Sequence, residues 1–278
     1  RQMCIRDSFN TKLAEQLGID AAPTSVEEFE ADMQTAKDAG ILPMMTYAKD
    51  GGTSFVFQAL MANNSSAEDV QNWILQKSGT FDNQAAQDAA STLQDWNNKG
   101  YMPEGVNAVD ASTALSRFCN GEGLFFPSGN WNLDTVAKAL GDDVQFFAFP
   151  GATSEDEPNV AANAGAFYGI PVNAKNRDAA AAFLDYTQSA EAQQIIVDNS
   201  GYLPKSSTLD LKANSALQQS MFDAYADVLT SGHTSDFINN ATAGMQSSGL
   251  IPNFRLLLDN SITCLLYTSP SPRDRSLS

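Results

Sequence analysis

Apolar residues recur at helical spacing through most of the chain. Val26, Phe29, Met33 and Ala36 fall on one helical face, and Gly40 closes that helix. Thr24 and Glu27 stand before it as a capping box, each satisfying a backbone N–H that the helix leaves unpaired. The same periodicity predicts a short helix from Phe9 to Gly18 and one through Phe55, Phe57, Leu60 and Met61. A helix carrying Val70, Trp73 and Ile74 follows Ser66, and a longer one runs from Asn83 to Lys99 with Ala86, Ala90, Leu93 and Trp96 on one side. Trp73 and Trp96 lie inside apolar stripes and are expected in the core. Further helices are predicted over Asp110–Phe118, through Leu133, Val136 and Leu140, after Asn176, from Ser189, over Leu217–Leu229 and over Asp236–Leu258. Between them stand short apolar runs with the length of strands: Ile41–Met45, Leu124–Phe126 and Val144–Phe149. Helices alternating with such strands predict an α/β fold.

One junction carries candidate chemistry. A helix ends near Gly121, the wholly apolar Leu124-Phe125-Phe126 suits a strand buried on both faces, and Ser128-Gly129-Asn130 breaks it before a new helix opens at Asn130 or Asn132. Trp131 therefore sits at the mouth of a strand-to-helix turn, where open α/β sheets bind ligands. Its ring suits the apolar face of a sugar, and Asn130 beside it can both give and accept hydrogen bonds. Packing of Trp131 under the following helix is the alternative.

Composition narrows the function classes. A net charge of −17 argues against binding nucleic acid or an anionic membrane surface. No apolar run approaches the roughly 18 residues that a membrane span needs. Gly51-Gly52 is not a phosphate loop, because no Gly-Lys-Ser/Thr follows. The acidic stretch at Glu155-Asp156-Glu157 lacks calcium-loop spacing and is expected to be a solvated loop. The single histidine, His233, cannot build a multi-histidine metal site. Cys119 flanks a buried strand and is expected to be an inert thiol. No metal site, cofactor or catalytic residue is predicted. The 33 acids leave a glycan-processing enzyme open as an alternative, since glycosidases need two placed carboxylates, but only Asp50 is assigned to a cleft. A glycan- or peptide-binding surface protein without a transport role is the third class.

The two ends differ from the middle. Arg1–Asp7 and Cys264–Ser278 lack periodicity and resemble translated sequencing-adapter read-through. They are excluded from fold reasoning and expected to pack against nothing. Each end holds two Arg and one Asp, so the charge without them would be −19. Cys4 and Cys264 lie in these ends, which leaves Cys119 without an internal partner for a disulfide.

A family resemblance rests on three groups of residues. Phe118, Gly121, the apolar run Leu124–Phe126, Ser128, Gly129 and Trp131 are similar to the segment that carries a sugar-stacking Trp in extracellular solute-binding protein family 1. These are the maltose-binding-protein-like, substrate-binding subunits of sugar ABC importers. Phe9, Asn10, Leu13, Gly18 and Ile19, followed by Pro23, Ser25, Glu28 and Phe29, resemble the part after that family's first crossover between lobes. Ala180, Phe183, Leu184, Tyr186, Ser189, Glu191, Ala192 and Gln193 resemble its later helix pair.

The resemblance implies a periplasmic-binding-protein-like fold of type II, with two α/β lobes around a cleft. Residues 9–162 and 209–258 would form one nearly complete carboxy-terminal lobe. Residues 163–208 would be part of the amino-terminal lobe, whose first portion is absent, and 1–8 and 259–278 would be artefactual or disordered ends. It implies a non-enzymatic subunit that holds a sugar or oligosaccharide and delivers it to ABC permease transmembrane subunits. The expected protein is a monomer, extracellular, held as a membrane-anchored lipoprotein or in the periplasm, with its signal segment missing from this fragment. Trp131, Asn130, Asp50, Phe55, Ser54 and Gly165 are the implied ligand contacts. For Asp50 and Phe55 a solvated turn with Phe55 in the core is the alternative. Ser54 departs from the family, which has an aromatic there.

Overall fold

A computed structural model describes residues 2–163, 168–200, 210–231 and 233–262. Its elements in chain order begin with strand β1 (Gln2–Asn10) and helices α1 (Thr11–Leu17), α2 (Val26–Asp38), α3 (Thr53–Asn63), α4 (Ala67–Ile74), α5 (Gln84–Asn98) and α6 (Ala111–Cys119). Strand β2 (Phe125–Gly129), helix α7 (Leu133–Leu140) and strands β3 (Val144–Ala148) and β4 (Val160–Asn163) follow. Helices α8 (Arg177–Tyr186), α9 (Ala190–Asn199) and α10 (Ala216–Ser231), strand β5 (Thr234–Ser235) and helix α11 (Ile251–Leu258) complete the series.

The sheet is built on β1. It pairs antiparallel with β2 on one side, and with β3 and then β4 along the other, while β5 adds parallel to β4. Beyond β2, the run Ile41–Met45 makes only an isolated parallel bridge, Met44 to Phe125, although Met45 donates to the Phe125 carbonyl at 2.8 Å. Pro43 lies within this run and has no N–H to extend the ladder.

Both faces of the sheet are covered, because neighbouring residues of its strands point into different cores. Phe125 and Phe147 join one apolar cluster with Phe29, Phe57, Leu93 and Trp96 of α2, α3 and α5. Phe126 and Phe146 join the other, with Phe118, Val136, Leu217 and Met221 of α6, α7 and α10. The period of two along a strand makes this three-layer arrangement. It is the expected α/β architecture, with Trp73 and Trp96 in the core as predicted.

Four expectations are corrected. The first residues do not stand apart: the backbone of Gln2–Asn10 is the central strand. Without it β2 and β3 would each present bare N–H and C=O groups, which a folded sheet avoids. At the other end, residues 259–262 are tied down: Asp259 accepts from Asn107 at 2.6 Å, and the Ile262 carbonyl from Gln94 at 3.3 Å. Cys264–Ser278 lies outside the described residues. The cap of α2 is Ser25 and not Thr24, since Ser25 takes the extended conformation and accepts from the Glu28 N–H at 3.1 Å. Glu28 in turn holds Thr24 through its N–H and hydroxyl. Finally, Asp236–Leu258 is not one helix. A 3-10 turn at Ile238–Asn240 and a π turn at Met245–Leu250 precede α11, which starts where Pro252 fits a first turn.

Helix α9 is tied to α10, where Gln218 donates to the Val197 carbonyl at 2.8 Å, but the region from Tyr168 through α9 turns apolar side chains outward. Tyr168, Val172, Phe183, Tyr186 and Ile195 are all exposed there, Val172 by 78%. A groove of about 360 Å³ runs between Phe183 and Tyr186 of α8 and Ile195 and Ile196 of α9.

Candidate functional site

The sheet register brings several chain segments to one edge. Cys4 of β1 pairs with Gly129 at the end of β2, and Gln2 pairs with Asn163 at the end of β4. β5 runs parallel to β4. The carboxyl ends of β2, β4 and β5 therefore share an edge with the start of β1. Trp131 stands two residues past the end of β2, and Phe237 two past the end of β5. Phe55, in the first turn of α3, lies between them. Its ring centroid is 5.8 Å from Trp131, tilted by 59°, and 6.3 Å from Phe237, edge to face.

Gly129 makes room for this. Its backbone is extended, so any residue could adopt its conformation, but an added Cβ would lie 2.2 Å from Cζ3 of Trp131. The indole ring therefore lies directly on the Gly129 backbone. The turn after it is a 3-10 turn, Asn130–Asn132, tied back by Asn132 donating to Ser128 Oγ at 2.7 Å.

The six sequence-predicted residues separate into groups. Trp131 and Phe55 are half-buried and stand together. Neither is sealed in the core, though both pack against it. Asn130 is fully buried, so it faces the interior and not the edge. Ser54 is also buried, and its hydroxyl donates to the Gly51 carbonyl at 2.7 Å, a bond within its own turn. These two shape the site from behind, because a polar group committed inside the fold has no face left for a ligand. Asp50 is exposed, and its carboxylate accepts the Ala111 N–H at 2.9 Å, fastening the loop before α3 to the start of α6. Next to it Lys49 bridges to Asp110 at 3.2 Å. Hydrogen bonds from Thr113, then Ser112 and Lys49, hold the Asp110 carboxyl well below the ordinary range. Gly165 lies outside the described residues.

Two residues of the site were not foreseen. Phe237 follows a strand of two residues, too short to leave a pattern. Gln58 carried a usable signal: it is an uncharged polar residue inside an otherwise apolar run, Phe55 to Ala62. A buried amide in such a place must have partners, and Gln58 is 2% exposed.

The arrangement offers two tilted aromatic rings, part open, at the carboxyl end of a strand. Such rings take the apolar face of a ring-shaped neutral ligand and leave its hydroxyls to solvent or to other groups. Among the described residues no group of three or more His, Cys, Asp or Glu is placed to hold a metal ion. A separate cavity of about 450 Å³, between the end of α3, α4 and the start of α5, contains none of the predicted contacts.

The sequence profile of a family described as "Bacterial extracellular solute-binding protein" matches residues 9–221. Comparison with curated protein sequences gives no match. Among solved structures, the chain is similar to one named "Chitin oligosaccharide binding protein", with a TM-score of 0.86 and 18% identity over 99% of this chain and 69% of that one. It is similar to the bacterial solute receptor AcbH, described as having an exclusive substrate preference for β-D-galactopyranose, with a TM-score of 0.79 and 17% identity over 99% and 70%. It is also similar to RafE in complex with raffinose, with a TM-score of 0.76 and 16% identity over 96% and 69%. At these identities the likeness is one of fold.

Proposed function

This chain belongs to the bacterial extracellular solute-binding protein family, and on that premise we propose that it binds a neutral sugar or oligosaccharide on the Phe55–Trp131 pair. The observation that carries this reading is the placement of two half-buried rings, 5.8 Å apart, at the carboxyl end of β2. Solved structures of the same fold are named for chitin oligosaccharide, galactopyranose, stachyose and raffinose, all neutral carbohydrates. A net charge of −17 also suits a neutral ligand better than an anionic one.

The wider role follows the family. The protein serves as the substrate-binding subunit of an ABC importer and hands its sugar to the permease. It acts outside the cytoplasmic membrane, in the periplasm or tethered by a lipid, and no helix among the described residues is long and apolar enough to span a membrane. Residues 9–162 and 209–258 make one lobe, and 163–208 are part of the other. The exposed apolar residues of α8 and α9 support that division, since among the described residues beyond Tyr168–Asn199 only Leu75 and Leu256 leave a large apolar side chain exposed. Closure of the second lobe over the ring pair would be a hinge motion. Of the six residues expected at the ligand, Trp131 and Phe55 touch it, Asp50, Ser54 and Asn130 hold the surrounding turns, and Gly165 lies outside the described residues.

Titration calorimetry of the chain with a panel of neutral mono- and oligosaccharides tests the reading. Saturable binding of at least one sugar is expected. Absence of binding to every member would overturn it.

A further inference from the structure

Phe55 meets Trp131 on one side and, on the other, Phe237 of the segment after β5. Gln58 lies one turn beyond Phe55 on α3 and bonds directly to that segment. Its Nε2 donates to Ser235 Oγ at 3.0 Å and to the Asp236 carbonyl at 2.7 Å, and its Oε1 accepts the Ile238 N–H at 3.0 Å. Only a planar amide can donate twice and accept once from one end of a side chain in this way. The segment is tied at further points. The Asp236 N–H donates to Gln71 of α4 at 2.6 Å, and the Asp236 carboxylate accepts the Phe237 N–H at 2.7 Å and Asn240 Nδ2 at 2.9 Å. Phe237 is thus enclosed by bonds on both sides, and its ring meets Phe55 edge to face at 6.3 Å.

We propose that Gln58 is a positioning residue of the ligand platform: by clamping 235–238 to α3 it seats the Phe237 ring against Phe55, and so sets the angle at which Phe55 and Trp131 meet a ligand. This rests on the sugar-binding reading for its purpose and on the bonds around Gln58 for its mechanism. Held at a fixed tilt, the pair needs no ordering when a sugar arrives, which is the general source of affinity from preorganisation.

The test uses the whole chain labelled with fluorotryptophan. Fluorine NMR reads each indole separately, and a Trp131→Phe variant assigns the Trp131 resonance. Trp96, fully buried and bonded to Glu30 at 2.7 Å, is the internal reference. Gln58→Met keeps the length of the side chain and removes all three bonds. Ser235→Ala removes one and serves if Gln58→Met does not fold. In either variant the Trp131 resonance is expected to move while that of Trp96 stays, with the larger displacement for Gln58→Met. Affinity for a sugar bound by the unmutated chain is expected to fall about tenfold in Gln58→Met. An unmoved Trp131 resonance in a folded variant overturns the proposal, as does movement of Trp96 by as much as Trp131. A displaced resonance with unchanged sugar affinity also overturns it. If the unmutated chain binds no sugar, the functional reading fails, while the resonances still decide whether Gln58 orients the pair.

Discussion

Phe55 and Trp131 come from positions far apart in the chain, yet their rings meet at 5.8 Å with a tilt of 59°. One ring is delivered by the first turn of α3 and the other by the turn that ends β2. The packing of α3 against the sheet is what joins them, so the site is a property of the fold and not of either segment alone.

The first prediction concerns Gly129→Ala. The backbone at this position, φ −136° and ψ 168°, accepts alanine, so the only new conflict is with the Trp131 ring at 2.2 Å. The ring must move. A cost of about 1–3 kcal/mol is expected for the repacking, and sugar affinity should fall with it. Thermal unfolding and sugar titration on one preparation check this. Unchanged affinity would show that the ring does not need its seat on Gly129.

Asp32→Asn should stabilise the protein in a pH-dependent way. Asp32 is half-buried on α2, and burial first, then the nearby Glu28 carboxylate, pushes its carboxyl up to about 6. In the unfolded chain an ordinary aspartate titrates near 3.9. Between those values the folded state binds more protons than the unfolded one, so stability falls as pH rises from about 4 to about 6 and stays lower above that. The variant removes the penalty. It should gain about 1 kcal/mol at pH 7, discounted for partial exposure, and almost nothing at about pH 4. Urea unfolding at both pH values reads the difference. An equal gain at both would rule out the titration of Asp32 as its cause.

A third prediction concerns the bare face of α8 and α9. Phe183 is 64% exposed and Ile195 51%, and both line the same groove. Contiguous exposed apolar surface promotes self-association. Phe183→Lys with Ile195→Lys should lower the concentration-dependent mass seen by light scattering and leave the melting temperature within a few degrees. Unchanged association would place the sticky surface elsewhere.

Much of this structure was legible because its signals are local. Ser66, Asn83 and Ser189 cap the helices they precede, and Phe29, Met33 and Ala36 bury one face at helical spacing. Leu124-Phe125-Phe126 announced a strand buried on both sides by its lack of any polar position. What escaped depends on distant partners. Nothing in Gln2 to Ser8 alternates, and the segment is a strand because two other strands need the backbone between them. Trp131 could be placed at the mouth of a turn, but its meeting with Phe55 depends on the packing of α3. The burial of Asn130 follows from a 3-10 turn that no residue pattern distinguishes from the start of α7. Phe237 enters the site only through the pairing of the two-residue β5 with β4.

The most direct test is Trp131→Ala, measured for sugar affinity and for thermal stability in the same preparation. A half-open ring that serves as a platform contributes about 1–2 kcal/mol to sugar binding, so affinity should fall roughly tenfold or more. The melting temperature should drop by only about 2–4 °C, as for a loss near 1 kcal/mol in a chain of this size. If instead the variant loses stability on the scale of a deleted core aromatic, about 3–5 kcal/mol, while its folded fraction binds sugar as before, Trp131 is part of the core and the account of this site is wrong.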